Sequence, residues 1–314
     1  MTLPLGIGAV GLGCASFGNL YTASSDEEAR AVVDAAWDRG IRCFDTAPLY
    51  GHGLSEVRLG AALRGRPRDE YVLATKVGRL LVPDAPDRRA APTIFADLPP
   101  VHPVFDYSRD GVLRSVEESL ERLGLDRIDV LHVHDPDLHV DAALASAFPA
   151  LEELRDQGMV RAVGLGINNT PVGEQIVGRA DLDLLLLANR CTLLEHSAVA
   201  RLLPACAAAG VPVLAAGVFN GGLLANPSPD TPYLYEQAPA EVVERAQRLE
   251  EVCAGYDVPL AAAALQWPLR LPAVDGLLVG PRSVAELEED LDLLHHAIPA
   301  ALWEDLAALG LPPT

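Results

Sequence analysis

The chain lacks long apolar runs and has few aromatic residues, with phenylalanine, tryptophan and tyrosine together making up 5% of its 314 residues. Leu182 to Ala188 is interrupted by Asp183, and Val258 to Leu265 is broken by Pro259. Neither approaches the ~20 consecutive apolar residues of a membrane helix, so no membrane partner is expected. The start, Met1-Thr2-Leu3-Pro4-Leu5, has neither the basic residues nor the apolar core of a secretory signal, and the expected location is cytoplasmic. The five cysteines, Cys14, Cys43, Cys191, Cys206 and Cys253, are odd in number and form no CxxC pair. That pattern argues against a disulfide framework or a cysteine-based zinc site and for reduced structural thiols. Basic residues are also scarce: 24 Lys and Arg stand against 44 Asp and Glu, a formal charge of −20. Nucleic acid is therefore not an expected partner, and any anionic cofactor must find a locally favourable pocket.

What the chain does have is alternation. Short β-branched or apolar runs are followed by longer amphipathic stretches, the pattern of βα units on a parallel sheet. The expected strands are Val10 to Ala15, Ile41 to Phe44, Tyr71 to Thr75, Ile128 to Val133, Val160 to Leu165, Leu182 to Leu187, Val211 to Ala215 and Gly276 to Val279. Eight such strands close a barrel, and the length suits a single α/β domain, a (β/α)8 TIM barrel spanning 1–314. Helices are expected at Ser25 to Arg39, Val57 to Leu63, Ser108 to Leu123, Asp141 to Gln157, Thr170 to Val177, Ala198 to Ala209, Ala240 to Ala254 and Ser283 to His295. Serine caps, acids in first turns and closing glycines mark several of their ends. The connections after strands three and seven, Val77 to Tyr107 and Gly217 to Pro239, exceed the about 2–6 residues of a simple βα turn. Both follow strand C-termini, where a barrel builds its active site.

Candidate chemistry gathers at those same ends. Asp45 follows strand two, Tyr50 lies in its loop, Lys76 ends strand three and His134 ends strand four. A phenol with a reference pKa of about 10 is a poor catalyst alone. A neighbouring ammonium lowers that pKa, and the phenol can donate its proton to a developing alkoxide. Lys76 would in turn need Asp45 to stay charged where water is scarce, and His134 could direct the reacting oxygen. Taken singly each residue has an ordinary structural use; their joint occurrence in strand order points to a site.

The run Asp45-Thr46-Ala47, Tyr50-Gly51, Gly53, Ser55-Glu56 and Leu59-Gly60 closely resembles the first signature of the aldo-keto reductases. Leu120, Arg122-Leu123-Gly124-Leu125-Asp126 and Ile128-Asp129-Val130, leading to His134, resemble the second, and Thr75-Lys76-Val77 the lysine strand. Lys76-Val77-Gly78-Arg79, Phe105 to Gly111 and Val133-His134-Asp135-Pro136-Asp137 are most similar to the group of L-fucose, D-threo-aldose and pyridoxal dehydrogenases within that family. The resemblance implies a (β/α)8 barrel using NAD(P)(H), with Tyr50 as general acid or base, Asp45 and Lys76 tuning it, and His134 orienting a carbonyl or hydroxyl. It also implies a small polar carbonyl or alcohol substrate, an aldose or pyridoxal-like compound.

For the cofactor, the same resemblance places Asn168 at the carboxamide, Arg190 near a usual glutamine, and Phe219 as a substitute for a stacking tyrosine absent at Ala216 and Gly217. The segment Val279 to Asp290 matches the family's adenosine end, with Arg282, Ser283, Glu286 and Asp290 as candidate contacts. A helix starting at Ser283 offers amides and a positive dipole end to phosphate. Glu286 would repel a 2′-phosphate, so NAD is expected over NADP.

Two other readings remain open at this stage. His132-Val133-His134 places both imidazoles on one side of a strand, which could begin the metal site of a barrel hydrolase with Asp45 and Lys76 as further ligands. His52, His102, His139, His196, His295 and His296 do not recur at strand ends, however, so no metal is expected. A nucleotide-binding regulatory or redox-sensing subunit with little turnover is the non-enzymatic alternative.

Overall fold

Eight parallel strands close into a barrel in the computed structural model, which describes residues 3–85 and 93–312. They are β1 (Val10–Gly13), β2 (Cys43–Asp45), β3 (Val72–Val77), β4 (Val130–His134), β5 (Ala162–Ile167), β6 (Leu184–Ala188), β7 (Val213–Ala216) and β8 (Val274–Val279). Each pairs with its neighbour in sequence, and β8 returns to β1 through Leu277 opposite Val10 and Val279 opposite Leu12. All eight expected strands are present. Five of them start two residues later than the sequence pattern suggests, because Ile41, Ile128, Val160, Leu182 and Val211 are buried in the lead-in from helix to strand. Apolar character there marks burial, not ladder pairing.

Alternation along each strand sorts the core into two layers. Cys43, Val72, Ala74, Val130, Ala162, Leu184, Leu186, Leu214 and Leu278 form an inner cluster with Leu3 and Ile7 of the N-terminal segment. Phe44, Leu73, Leu131, Val133, Val163, Leu165, Leu185 and Leu187 belong to the larger cluster shared with the surrounding helices. The parity is decisive for function. Asp45 lies two residues beyond Cys43, Lys76 two beyond Ala74, and His132 and His134 two and four beyond Val130, so all four continue the inward-facing rows.

The helices follow their sequence signals. Ser25 and Glu28 form a reciprocal cap on Asp26–Asp38, and Ser108 caps Arg109–Leu123, which ends at left-handed Gly124. The stretch expected as one helix from Asp141 is interrupted by a wider π turn at Ala143–Ala147 before continuing as Phe148–Asp156. The expected helix Ala198 to Ala209 is formed only over Leu202–Ala209.

Both long connections carry small ribbons. After β3, Arg79–Pro83 pairs antiparallel with Val101–Phe105; residues 86–92 of that connection lie outside the described residues. After β7, Pro232–Tyr233 pairs with Glu236–Gln237. The loops after β1 and β3 are also tied together, since Tyr21 N–H donates to Ile94 O at 2.7 Å and Ala96 N–H to Asn19 O at 2.9 Å.

Candidate active site

Lys76 is the penultimate residue of β3, opposite His132 in register, and is 2% exposed. Its ammonium donates to Asp45 Oδ1 at 2.5 Å and to Thr46 O at 2.8 Å. Space for the facing His132 inside the barrel comes from β5. A β-carbon on Gly166 would come within 3.4 Å of Lys76 Cε, and one on Gly164 within 2.3 Å of His132 Nδ1. Gly164 thus admits the His132 imidazole of β4, a role the sequence pattern did not suggest, whereas a β-carbon on Gly166 would make only ordinary contact with Lys76.

Tyr50 sits in the turn after β2, half-buried, with its ring face 4.7 Å from Lys76 Nζ and its ring centre 5.9 Å from that of His134 in an edge-on arrangement. Asp45, Tyr50, Lys76 and His134, the four expected catalytic residues, are therefore brought together. The turn is braced by the rest of its motif. Ser55 Oγ meets Thr46 Oγ1 at 2.8 Å and Cys14 O at 2.7 Å, and fully buried Glu56 accepts from Thr75 Oγ1 at 2.7 Å and Arg122 Nε at 2.6 Å. The Glu56 to Arg122 bond joins the two sequence signatures physically.

His134 is 6% exposed, and burial, with Arg79, Lys76 and His132 adding to it, pushes its imidazole well below the ordinary histidine range. It is neutral at physiological pH and can donate or accept one hydrogen bond. Its backbone is clamped: Arg79 Nη1 donates to His134 O at 2.9 Å, and Tyr107 Oη donates to the same oxygen at 2.7 Å. Gly78, at φ +104°, makes room for that phenol, because a β-carbon there would be 2.2 Å from Tyr107 Cε1. Asp135, at φ +38°, places its carboxylate 3.4 Å from both Arg79 Nη2 and His134 Nε2. Sequence reading did not assign Arg79, Tyr107 or Asp135 a role, although all three lie in the motifs it singled out.

The electrostatics of Tyr50 differ from the expectation that Lys76 lowers its pKa. Burial raises the phenol well above its ordinary range, Asp45 and Asp135 add to the rise, and Arg79 opposes them. The reason is geometric. Asp45 lies against the ammonium, so its charge opposes the field of Lys76 at the phenol. Tyr50 is accordingly a protonated phenol at physiological pH.

His132 is a core residue. It is 1% exposed, burial and Lys76 lower its pKa to about 3, and its Nε2 lies 3.8 Å from Asp45 Oδ2. Among the described residues no group of three or more His, Cys, Asp and Glu side chains is arranged to hold a metal ion. Among those residues the hydrolase reading finds no ligand set.

The aldo/keto reductase family profile matches residues 9–310. The chain belongs to the aldo/keto reductase family. It is 48% identical to a D-threo-aldose 1-dehydrogenase of a Pseudomonas species, over 99% of this chain and 96% of that protein. It is 40% identical to a pyridoxal 4-dehydrogenase of Microbacterium luteolum, over 98% and 95% respectively. Among solved structures, the holo form of an aldo-keto reductase from Bacillus halodurans superposes with a TM-score of 0.77 at 26% identity, covering 96% of this chain and 91% of that one. The protein is an NAD(P)-dependent oxidoreductase of this family. Among the described residues, no helix of this aldo/keto reductase is long and apolar enough to cross a membrane.

The residues expected to hold the aldo/keto reductase cofactor fall in three places. Asn168 follows β5, and its carbonyl accepts from Arg190 Nε at 2.5 Å; Arg190 also lies 3.5 Å from Glu195. Phe219 is half-buried against the main core, which limits the ring face left for stacking. At the other end, Ser283 caps the helix Val284–Leu294 through Glu286 N–H at 3.1 Å, and exposed Glu286 accepts from Arg282 N–H at 2.7 Å. Arg282 reaches across to Leu20 O at 2.7 Å and Thr22 Oγ1 at 3.1 Å. Asp290 shares a helix face with buried Leu287 and is 8% exposed, and burial with Glu286 and Glu289 raises its pKa to about 7. A dinucleotide is compatible with this rim. Among the described residues the Tyr21 hydroxyl is buried there without a partner, with its ring 5.7 Å from the Arg282 guanidinium.

Proposed function

We propose that this enzyme transfers hydride between NAD(H) and a small polar alcohol or aldehyde, with an aldose hemiacetal as the leading substrate and a pyridoxal-like compound as the second. The observation that carries the catalytic half is the half-buried Tyr50 phenol set over the buried Asp45–Lys76 pair and edge-on to a neutral His134. The relatives named for D-threo-aldose and pyridoxal support the substrate half.

Asn168 and Arg190 would lie at the nicotinamide end, with Phe219 along its side. Arg282, Ser283, Glu286 and Asp290 would lie at the adenosine end. A bound nicotinamide supplies hydride to a carbonyl carbon or accepts it from a carbinol carbon. In reduction, His134 directs the carbonyl oxygen and Tyr50 gives its phenolic proton to that oxygen as the C=O π bond breaks; the phenolate regains a proton from solvent. In oxidation, Tyr50 must first lose its proton, and the phenolate then takes the proton of the substrate hydroxyl. Asp45 pairs with Lys76 away from water and so holds the floor of the site rigid. With these four groups together, nothing favours the regulatory subunit without turnover.

The lean towards NAD rests on two features. Exposed Glu286 puts a carboxylate in the first helical turn, where a 2′-phosphate would be repelled. Arg282, the cation that could offset it, is already engaged by Leu20 and Thr22.

The test is an absorbance screen at the reduced-nicotinamide band with L-fucose, D-arabinose, L-galactose, pyridoxal and simple aldehydes, using both cofactors. Turnover of a sugar or pyridoxal is the expected result. Absence of any response, or turnover of unsubstituted aldehydes alone, defeats the substrate reading.

A further inference from the structure

Tyr235 occupies a strained turn over the mouth of the barrel. In the ribbon after β7, Tyr233 pairs with Glu236, which leaves Leu234 and Tyr235 as the two turn residues. Both adopt left-handed φ, +49° and +73°. Hairpin turns of this hand favour Asn and Gly, since a β-carbon is disfavoured at both positions. Strain of this kind persists where surrounding contacts hold it and is concentrated at functional sites.

The contact here is a hydrogen bond. Asn189 Nδ2 donates to Tyr235 Oη at 3.2 Å. Asn189 is itself fixed just beyond β6: it is 3% exposed, its N–H donates to Ala216 O at 2.8 Å, and its carbonyl accepts from Asn220 Nδ2 at 3.3 Å. Gly217 leaves room for its amide, because a β-carbon there would be 2.6 Å from Asn189 Oδ1.

Tyr235 remains 39% exposed, yet its phenol is close enough to feel Tyr50, Asp135 and Tyr21, from the loops after β2, β4 and β1. A phenol that accepts from Asn189 still has its own proton to donate, and among the described residues that proton has no acceptor. It is a donor held by Asn189 at the C-terminal end of β6, on a side chain that is partly open to solvent.

We propose that Tyr235 is a specificity-determining residue whose hydroxyl donates to a second oxygen of the substrate, selecting molecules with a hydroxyl near the reacting carbon over plain aldehydes of equal length. This rests on the polar-substrate reading above. A site built to bond a substrate hydroxyl discriminates against the analogue lacking it, because its own polar group is then left unpaired.

Glyceraldehyde and propanal form a matched pair, with three carbons each and the same direction of reaction. In the full-length enzyme with NADH, Tyr235→Phe is expected to lower the ratio of kcat/KM for glyceraldehyde over propanal by about tenfold, the size of one lost neutral hydrogen bond. The fall should lie mainly in KM for glyceraldehyde. Phenylalanine keeps the ring and removes one oxygen, so a purely structural role would lower both substrates together and leave the ratio in place. A ratio within about twofold of the wild type overturns the assignment of Tyr235 alone. A wild-type enzyme that does not prefer glyceraldehyde overturns the polar-substrate reading and this assignment together.

Discussion

Lys76 Nζ lies 2.5 Å from Asp45 Oδ1 in an ion pair whose side chains are 2% and 5% exposed. A pair so placed is stable only as a pair, since removing one partner strands a charge in the barrel at a cost of about 3–5 kcal/mol. Lys76→Met and Asp45→Leu should each reduce the free energy of urea unfolding by about that amount. The double variant should lose less than the two singles combined, because no charge is left unpaired. Additive losses in this cycle would show that the two groups do not interact.

Replacing the phenol tests the chemistry directly. Tyr50→Phe should lower kcat about 10²–10⁴-fold, the usual contribution of a positioned acid or base, with a smaller change in substrate KM. Steady-state rates in both directions measure it. A variant that turns over as fast as the parent removes Tyr50 from the mechanism.

The raised pKa of Tyr50 sets a direction for pH dependence. The protonated phenol is the acid needed for reduction, and the phenolate is the base needed for oxidation, so oxidation should accelerate with rising pH while reduction falls off on the alkaline side. Asp135 raises the phenol's pKa and Arg79 lowers it. Asp135→Asn should therefore move the alkaline limb of kcat/KM for oxidation to lower pH, and Arg79→Met should move it to higher pH. Shifts of the opposite sign would mean that another group titrates in these profiles.

At the adenosine end, Glu286→Arg exchanges a carboxylate for a cation in the first turn of Val284–Leu294. The ratio of KM for NADP to KM for NAD should fall by about tenfold or more, the equivalent of ~1.4 kcal/mol. Titration of both cofactors checks it, and an unaltered ratio takes Glu286 out of cofactor choice.

Much of this was legible in the sequence for a physical reason. Strand and helix periods depend on local burial, and the rows Val72-Ala74-Lys76 and Val130-His132-His134 show it: period-two spacing alone puts Lys76 and His134 on the inward face of their strands. The resemblance carried by Asp45, Tyr50, Lys76 and His134 pointed to a family to which the chain belongs. Less legible were contacts between loops. Tyr235 lies 46 residues from Asn189, and no periodicity connects a hairpin tip to a strand end. Arg79 and Tyr107 lay inside singled-out motifs, but only the clamp on His134 O gives them a task.

By itself, the sequence determined the barrel, its eight strands and the strand-end positions of Asp45, Lys76 and His134, because each follows from short-range alternation of burial. The tertiary structure alone decided that Gly164 is a clearance for His132, and that Asp45 lies against the Lys76 ammonium and opposes its field at Tyr50. Those outcomes depend on distances between side chains from separate strands, which folding sets and local pattern does not encode.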